Sequence, residues 1–152
     1  MKAQTKLTTV VIAINAVMAY RHVQLVNRLR RKLKLSKEDA KLLFDDMKKF
    51  LYLAALLKQE LTPPSQVDEA WHHFILYTKD YDKFCHRFLG RFIHHVPQLH
   101  GAVVDEKAVK EHRSVAVGKT IKLYQEHFRD SPSKFWMIEL EHPECSSCQG
   151  DD

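Results

Sequence analysis

Glycine, proline and cysteine are all scarce in this chain of 152 residues, which has four, five and three of them. So few glycines and prolines exclude collagen-like and loop-rich low-complexity architectures, and they leave room for long uninterrupted helices. Three cysteines do not make a disulfide framework, because an odd count leaves one thiol over. Cys85 stands inside an aromatic stretch, whereas Cys145 and Cys148 form a C-x-x-C almost at the end of the chain. That pattern favours free thiols or metal ligands over structural bridges. No run reaches the roughly 20 apolar residues that a membrane-spanning helix requires, so no transmembrane segment is expected. No internal repeat and no convincing strand pair is visible.

What is present describes a folded domain. Hydrophobic residues make up 45% of the chain and aromatics 10%, more than a disordered segment carries. The expected fold is all-α, a single-domain bundle of four to five helices over residues 1–142, followed by a short irregular tail, 143–152. Lys2 and Lys6 precede TTVVIAINAVMA, which has the form of a short signal-peptide core ending at V-x-A. Asn15 interrupts that core, and Val11, Ile14, Met18, Leu25 and Leu29 hold one helical phase through it. The expectation is therefore a cytoplasmic protein whose first helix runs from about Thr8 to Lys34.

The formal charge of +5 owes much to Arg28, Arg30, Arg31, Lys32 and Lys34 near the end of that helix. They suit a solvated helix end, where cations oppose the negative end of the helix dipole. The same face offers a weak contact with nucleic acid or an anionic surface. Ser36 announces a second helix as its N-cap, with Glu38 and Asp39 in the first turn. Its apolar face reads Ala40, Leu43, Phe44, Met47, Phe50, Leu51, Ala54 and Leu57, and Thr62, Pro63 and Pro64 end it. A third helix begins after Ser65. From there to Leu89 the chain forms either one helix or two joined by a tight turn near Thr78 and Lys79. Gly90 breaks or kinks it and Pro97 ends it. A last helix is expected from Asp105 to Phe128, and SPSKFWMIEL reads as an extended or irregular segment that packs Phe135 and Trp136 back on the bundle. Gly118-Lys119-Thr120 imitates the end of a phosphate-binding loop, but Arg113 stands where that motif needs its first glycine.

Six of the ten histidines lie between His72 and His100. Asp68 and His72 are spaced i, i+4, which puts both side chains on one helical face a turn apart. That spacing suits two ligands of one divalent metal, zinc above all, or a carboxylate that orients an imidazole. Glu69 and His73 repeat the spacing on another face, and Glu69 is the candidate base of a hydrolytic site. Cys85, His86, His94 and His95 are the nearest further ligands. Helical phase puts Cys85 and His95 on the buried face and His94 outside, alongside Arg87. A continuous helix would hold Cys85 and His95 about 15 Å apart, too far for one ion, so both can bind it only if Gly90 breaks the helix. His142, Cys145 and Cys148 form a second, weaker thiol site. The tail that carries them is also a candidate contact for a protein partner.

The run PPSQVDEAWHHFILYTKDYDKFCHRFLGRFIHHVP resembles the core motif of the glycine-rich-domain-containing-protein-like family, a largely uncharacterised group. The shared positions are Val67, Asp68, Trp71, His72, Ile75, Leu76, Thr78, Tyr81, Phe84, Cys85, Gly90, His94, His95 and Pro97. Leu89 before the glycine and Arg129-Asp130 in place of an F-G step depart from the pattern. The resemblance implies the same helical fold and favours Asp68, His72, Cys85 and His95 as site residues. It implies no reaction. Three functions remain in play: a divalent-metal site, a metal-free protein-interaction module with a histidine and aromatic core, and a basic helix that meets RNA or an anionic surface.

Overall fold

The computed structural model describes residues 14–96 and 105–141, and every regular element among them is helical. Residues 14–19 form a helical turn and a half that ends at Tyr20. Six further elements follow: α1 Val23–Lys32, α2 Lys37–Leu57, α3 Ser65–Ile75, α4 Thr78–Phe84 with a π-helical extension Cys85–Leu89, α5 Glu106–Phe128 and α6 Lys134–Glu141. No helix among the described residues is long and apolar enough to cross a membrane.

The first helix is not continuous, contrary to its single apolar phase. The chain breaks over residues 20–22 and restarts at α1 with His22 as N-cap, whose Nδ1 accepts from the Leu25 N–H at 3.0 Å. Lys48, fully buried in α2, secures the break by donating its ammonium to the Met18 and Tyr20 carbonyls at 2.9 and 3.0 Å. Those carbonyls end a helix and lack intrahelical partners, so a buried cation there satisfies groups that would otherwise be orphaned. Asp45 balances its charge at 3.0 Å. A local period cannot reveal such a break, because the partner that stabilises it lies 28 to 30 residues away.

Helix α2 is the centre of the domain and packs against α1, α3 and the π-helical turn. Ser36 caps it through the Asp39 N–H at 3.0 Å. The expected apolar face is buried from Ala40 to Ala54, and Tyr52, Leu53, Asp46 and Lys48 are buried as well. A helix covered nearly all round is what an interior element shows. It stops at Leu57, ahead of the prolines, where Lys58 turns left-handed at φ 51° and returns its N–H to the Ala54 carbonyl.

Helices α3 and α4 form two arms joined at Leu76 and Tyr77, so the two-helix alternative describes this region. Across the joint the Trp71 indole donates to the Tyr81 hydroxyl at 2.9 Å, which donates to the Ile93 carbonyl at 2.5 Å. Gly90 follows the π-helical turn at φ 74°, a conformation that favours glycine, and residues 92–96 then run back without regular structure. Helix α5 matches its expected limits, with Asp105 as N-cap. The segment expected to be irregular instead forms α6, capped by Ser133, whose Oγ accepts from the Phe135 N–H at 3.2 Å. Phe135 and Trp136 are buried, as expected.

Candidate functional site

The reversal at Gly90 is what assembles the site. By leaving the helix there, the chain brings His95 back beside the first turns of α3, where a continuous helix would have carried it away. Its Nε2 donates to Asp68 Oδ1 at 2.9 Å, its ring lies edge-on to Trp71 at 4.5 Å, and the His72 ring stands 4.1 Å away between centroids. One ligand atom from each of Asp68, His72 and His95 lies within 4.8 Å of the others.

Each side chain is held differently. His72 Nδ1 lies 2.8 Å from the Asp68 backbone carbonyl and 3.6 Å from Asp68 Oδ2. A carbonyl only accepts, so Nδ1 carries the proton, and in the neutral ring Nε2 presents its lone pair. The His72 side chain is 47% exposed, against 13% for His95. The arrangement therefore has an inner imidazole bonded to a carboxylate, and an outer imidazole whose Nε2 makes no hydrogen bond among the described residues. Asp68 sits in the first turn of α3, where the helix dipole favours a negative charge. All three residues line an open groove, together with residues 58–63 and 91–96.

The other expected residues are placed elsewhere. Cys85 is fully buried in the hydrophobic core and is not in the cluster, and burial pushes its thiol above the ordinary range. Tyr81 and the Ile93 backbone act on the thiol in the opposite direction. Cys85 thus stays in the core, although the break at Gly90 satisfies the condition set for its joining the site. His94 is exposed, with its ring against Phe92. His86 pairs with Asp82 at 3.3 Å on the surface. Glu69 lines the same groove, but its carboxylate lies 3.6 Å from His73 Nε2, and His73 Nδ1 accepts from Arg28 Nε at 3.0 Å. Burial first, and then the Arg28 charge, lowers the His73 pKa. His142, Cys145 and Cys148 lie outside the described residues.

Arg28 is therefore partly withdrawn from the basic set. Arg30, Arg31 and Lys32 occupy the last turn of α1, and Arg30 and Arg31 line a shallow groove with Gln24, Asn27 and Tyr77. Lys34 follows in a left-handed conformation at φ 53°. Sequence reasoning missed the cations that share the cluster's groove, Lys58, Arg91 and Arg113. Nothing in their local pattern singles them out, since three loops and helices bring them together.

Fold and site together define a small all-α protein with a histidine–carboxylate cluster at the mouth of a groove. The chain belongs to the UCP032817-like family, an uncharacterised family whose profile matches residues 14–119 and so includes the whole cluster. That match carries no information on the glycine-rich-domain-containing-protein-like resemblance. No curated protein matches the chain, and no solved structure does.

Proposed function

We propose that Asp68, His72 and His95 hold a divalent metal ion, zinc in the first instance. The observation that carries this reading is the convergence of three ligand atoms within 4.8 Å, one of them an imidazole whose Nδ1 is fixed on a backbone carbonyl. Metal-bound histidines commonly donate their second nitrogen to such a carbonyl, which sets the tautomer and aims the other nitrogen. Ligands about 2.0–2.2 Å from a tetrahedral zinc stand roughly 3.3 Å from one another, close to the 2.9 Å separation of His95 Nε2 and Asp68 Oδ1. To hold an ion through Nε2 as a neutral ligand, His95 would carry its proton on Nδ1 instead of donating it to Asp68. Three protein ligands would leave one tetrahedral position for water or a ligand. Glu69 lines the cluster's groove as the candidate base, with His73 competing for its carboxylate.

A ligand that binds only the folded chain raises its melting temperature, so zinc raises that of the wild type and leaves His72→Ala unmoved. Equal melting curves with zinc and with chelator favour the second reading, a metal-free module whose histidines are architecture. Its support is the Asp68–His95 hydrogen bond, which is complete without an ion.

A further inference from the structure

Helix α1 carries a groove that the metal reading does not use. The first carboxylate of the chain is Glu38, and nine lysines and arginines precede it. A charge run of one sign is the electrostatic footprint of a polyanion site. Arg28 is held by His73, whereas the side chains of Arg30 and Arg31 make no hydrogen bond or ion pair among the described residues.

The fold gives this run a definite shape. Gln24, Asn27 and Arg31 follow one another at i, i+3 and i+7, with Arg30 beside Arg31, so they form a row about 10 Å long on α1. All four are exposed, while Leu25 and Leu29 across the helix are fully buried. At the N-terminal end of the row stands Tyr77, from the joint of α3 and α4. Its ring lies 4.7 Å from that of His22, the cap of α1. These five residues line one groove of about 760 Å³, and Asp80, paired with His22 at 2.9 Å, does not line it.

Each part suits a different piece of a nucleotide chain. Arginines take phosphate oxygens through several N–H donors at once. A base exposes its face to an aromatic ring only when it is unpaired, so Tyr77 suits a single strand. The amide oxygens of Gln24 and Asn27 only accept hydrogen bonds, and an RNA backbone meets them with a 2′-hydroxyl donor that DNA lacks. An anionic bilayer fits less well. It takes up the apolar face of a helix, and that face of α1 is already buried, which leaves Val23 and Leu76 as exposed aliphatic neighbours of the row and of Tyr77.

We infer that this groove binds single-stranded RNA, with one base on Tyr77 and adjoining phosphates on Arg30 and Arg31.

The test is fluorescence anisotropy on the full-length protein with a labelled oligouridylate of about 12 nucleotides. It is repeated with an oligothymidylate of the same length, and sedimentation with phosphatidylserine-containing vesicles runs beside it. The result expected is oligouridylate binding that weakens steeply as salt rises from about 50 to 200 mM. Arg30→Gln and Arg31→Gln together flatten the slope of log affinity against log salt by about 1.4, since each single-strand phosphate contact contributes about 0.7. Tyr77→Leu weakens binding about tenfold at an unchanged slope, and Tyr77→Phe, which keeps the ring, binds like the wild type. If Tyr77→Leu unfolds, the arginine variant alone decides. No oligouridylate binding at about 50 mM salt, binding undiminished in the arginine variant or in Tyr77→Leu, or oligothymidylate bound as tightly overturns the inference. Binding of vesicles without binding of RNA also overturns it and makes this face a membrane contact. Metal content is expected to be the same in every variant, because Asp68, His72 and His95 lie outside this groove.

Discussion

Two histidine–aspartate pairs in this molecule have the same length and opposite character. His22 Nε2 meets Asp80 at 2.9 Å, and His95 Nε2 meets Asp68 at 2.9 Å. In the first, the other ring nitrogen caps α1 on the Leu25 N–H, and the ring is walled in by Tyr77, Phe74 and Tyr20. Both nitrogens of His22 are engaged, which leaves nothing to offer a ligand. In the second, the neighbouring His72 imidazole shares the same aspartate, and its Nε2 makes no hydrogen bond among the described residues. What separates architecture from a candidate site is therefore the count of uncommitted lone pairs, and distance alone does not reveal it.

Mutations break this comparison in order of size. His22→Ala removes a helix cap, a hydrogen bond to Asp80 and a buried ring, and is expected to cost about 2–3 kcal/mol in urea unfolding. Metal binding should be untouched once the variant is folded. A variant as stable as the wild type would show that His22 is not architecture.

Asp46 extends the contrast to a buried acid. It accepts a short hydrogen bond from the Ser133 hydroxyl, which ties α2 to the cap of α6. Burial raises its pKa from 3.8 to about 6, although Ser133, Lys49 and Trp136 act in the opposite direction. A carboxyl whose folded pKa is raised binds its proton more tightly in the folded state. It therefore favours folding more as pH falls from about 6 toward 4, and less as pH rises through that window. Asp46→Asn removes this dependence. The stability of the variant relative to the wild type should improve by about 1–2 kcal/mol between pH 4.5 and 7, on an order-of-magnitude reading. A difference that does not change with pH contradicts the account.

His72→Ala is the smallest in stability. With chelator present, a half-exposed ring bonded to one carbonyl is worth less than about 1 kcal/mol. A loss as large as that of His22→Ala would move His72 to the architectural class.

How much of this the sequence disclosed follows from where each constraint originates. Asp68 and His72 were legible because their i, i+4 spacing lies within one helix, and Ser36 and Asp105 because a cap is local. His95 depended on Gly90 breaking the helix, which the glycine allowed but did not dictate. The break over residues 20–22 was hidden, since Lys48 and Asp80 supply its partners from distant helices. Helix α6 was hidden for a related reason. Eight residues are too short for a helical period to declare itself, and the packing of Phe135 and Trp136 stabilises them. Cys85 shared an apolar phase with His95, but phase does not distinguish a ligand from a core thiol.

The most direct test of the central claim is metal content by elemental mass spectrometry, on untagged protein purified without chelator. Wild type is compared with His72→Ala, His95→Ala and His22→Ala. The account predicts about one equivalent of zinc or another divalent ion in the wild type and in His22→Ala, lost in both cluster variants. No bound metal in the wild type, or metal retained in both cluster variants, would contradict it and make the Asp68–His72–His95 cluster architecture like His22.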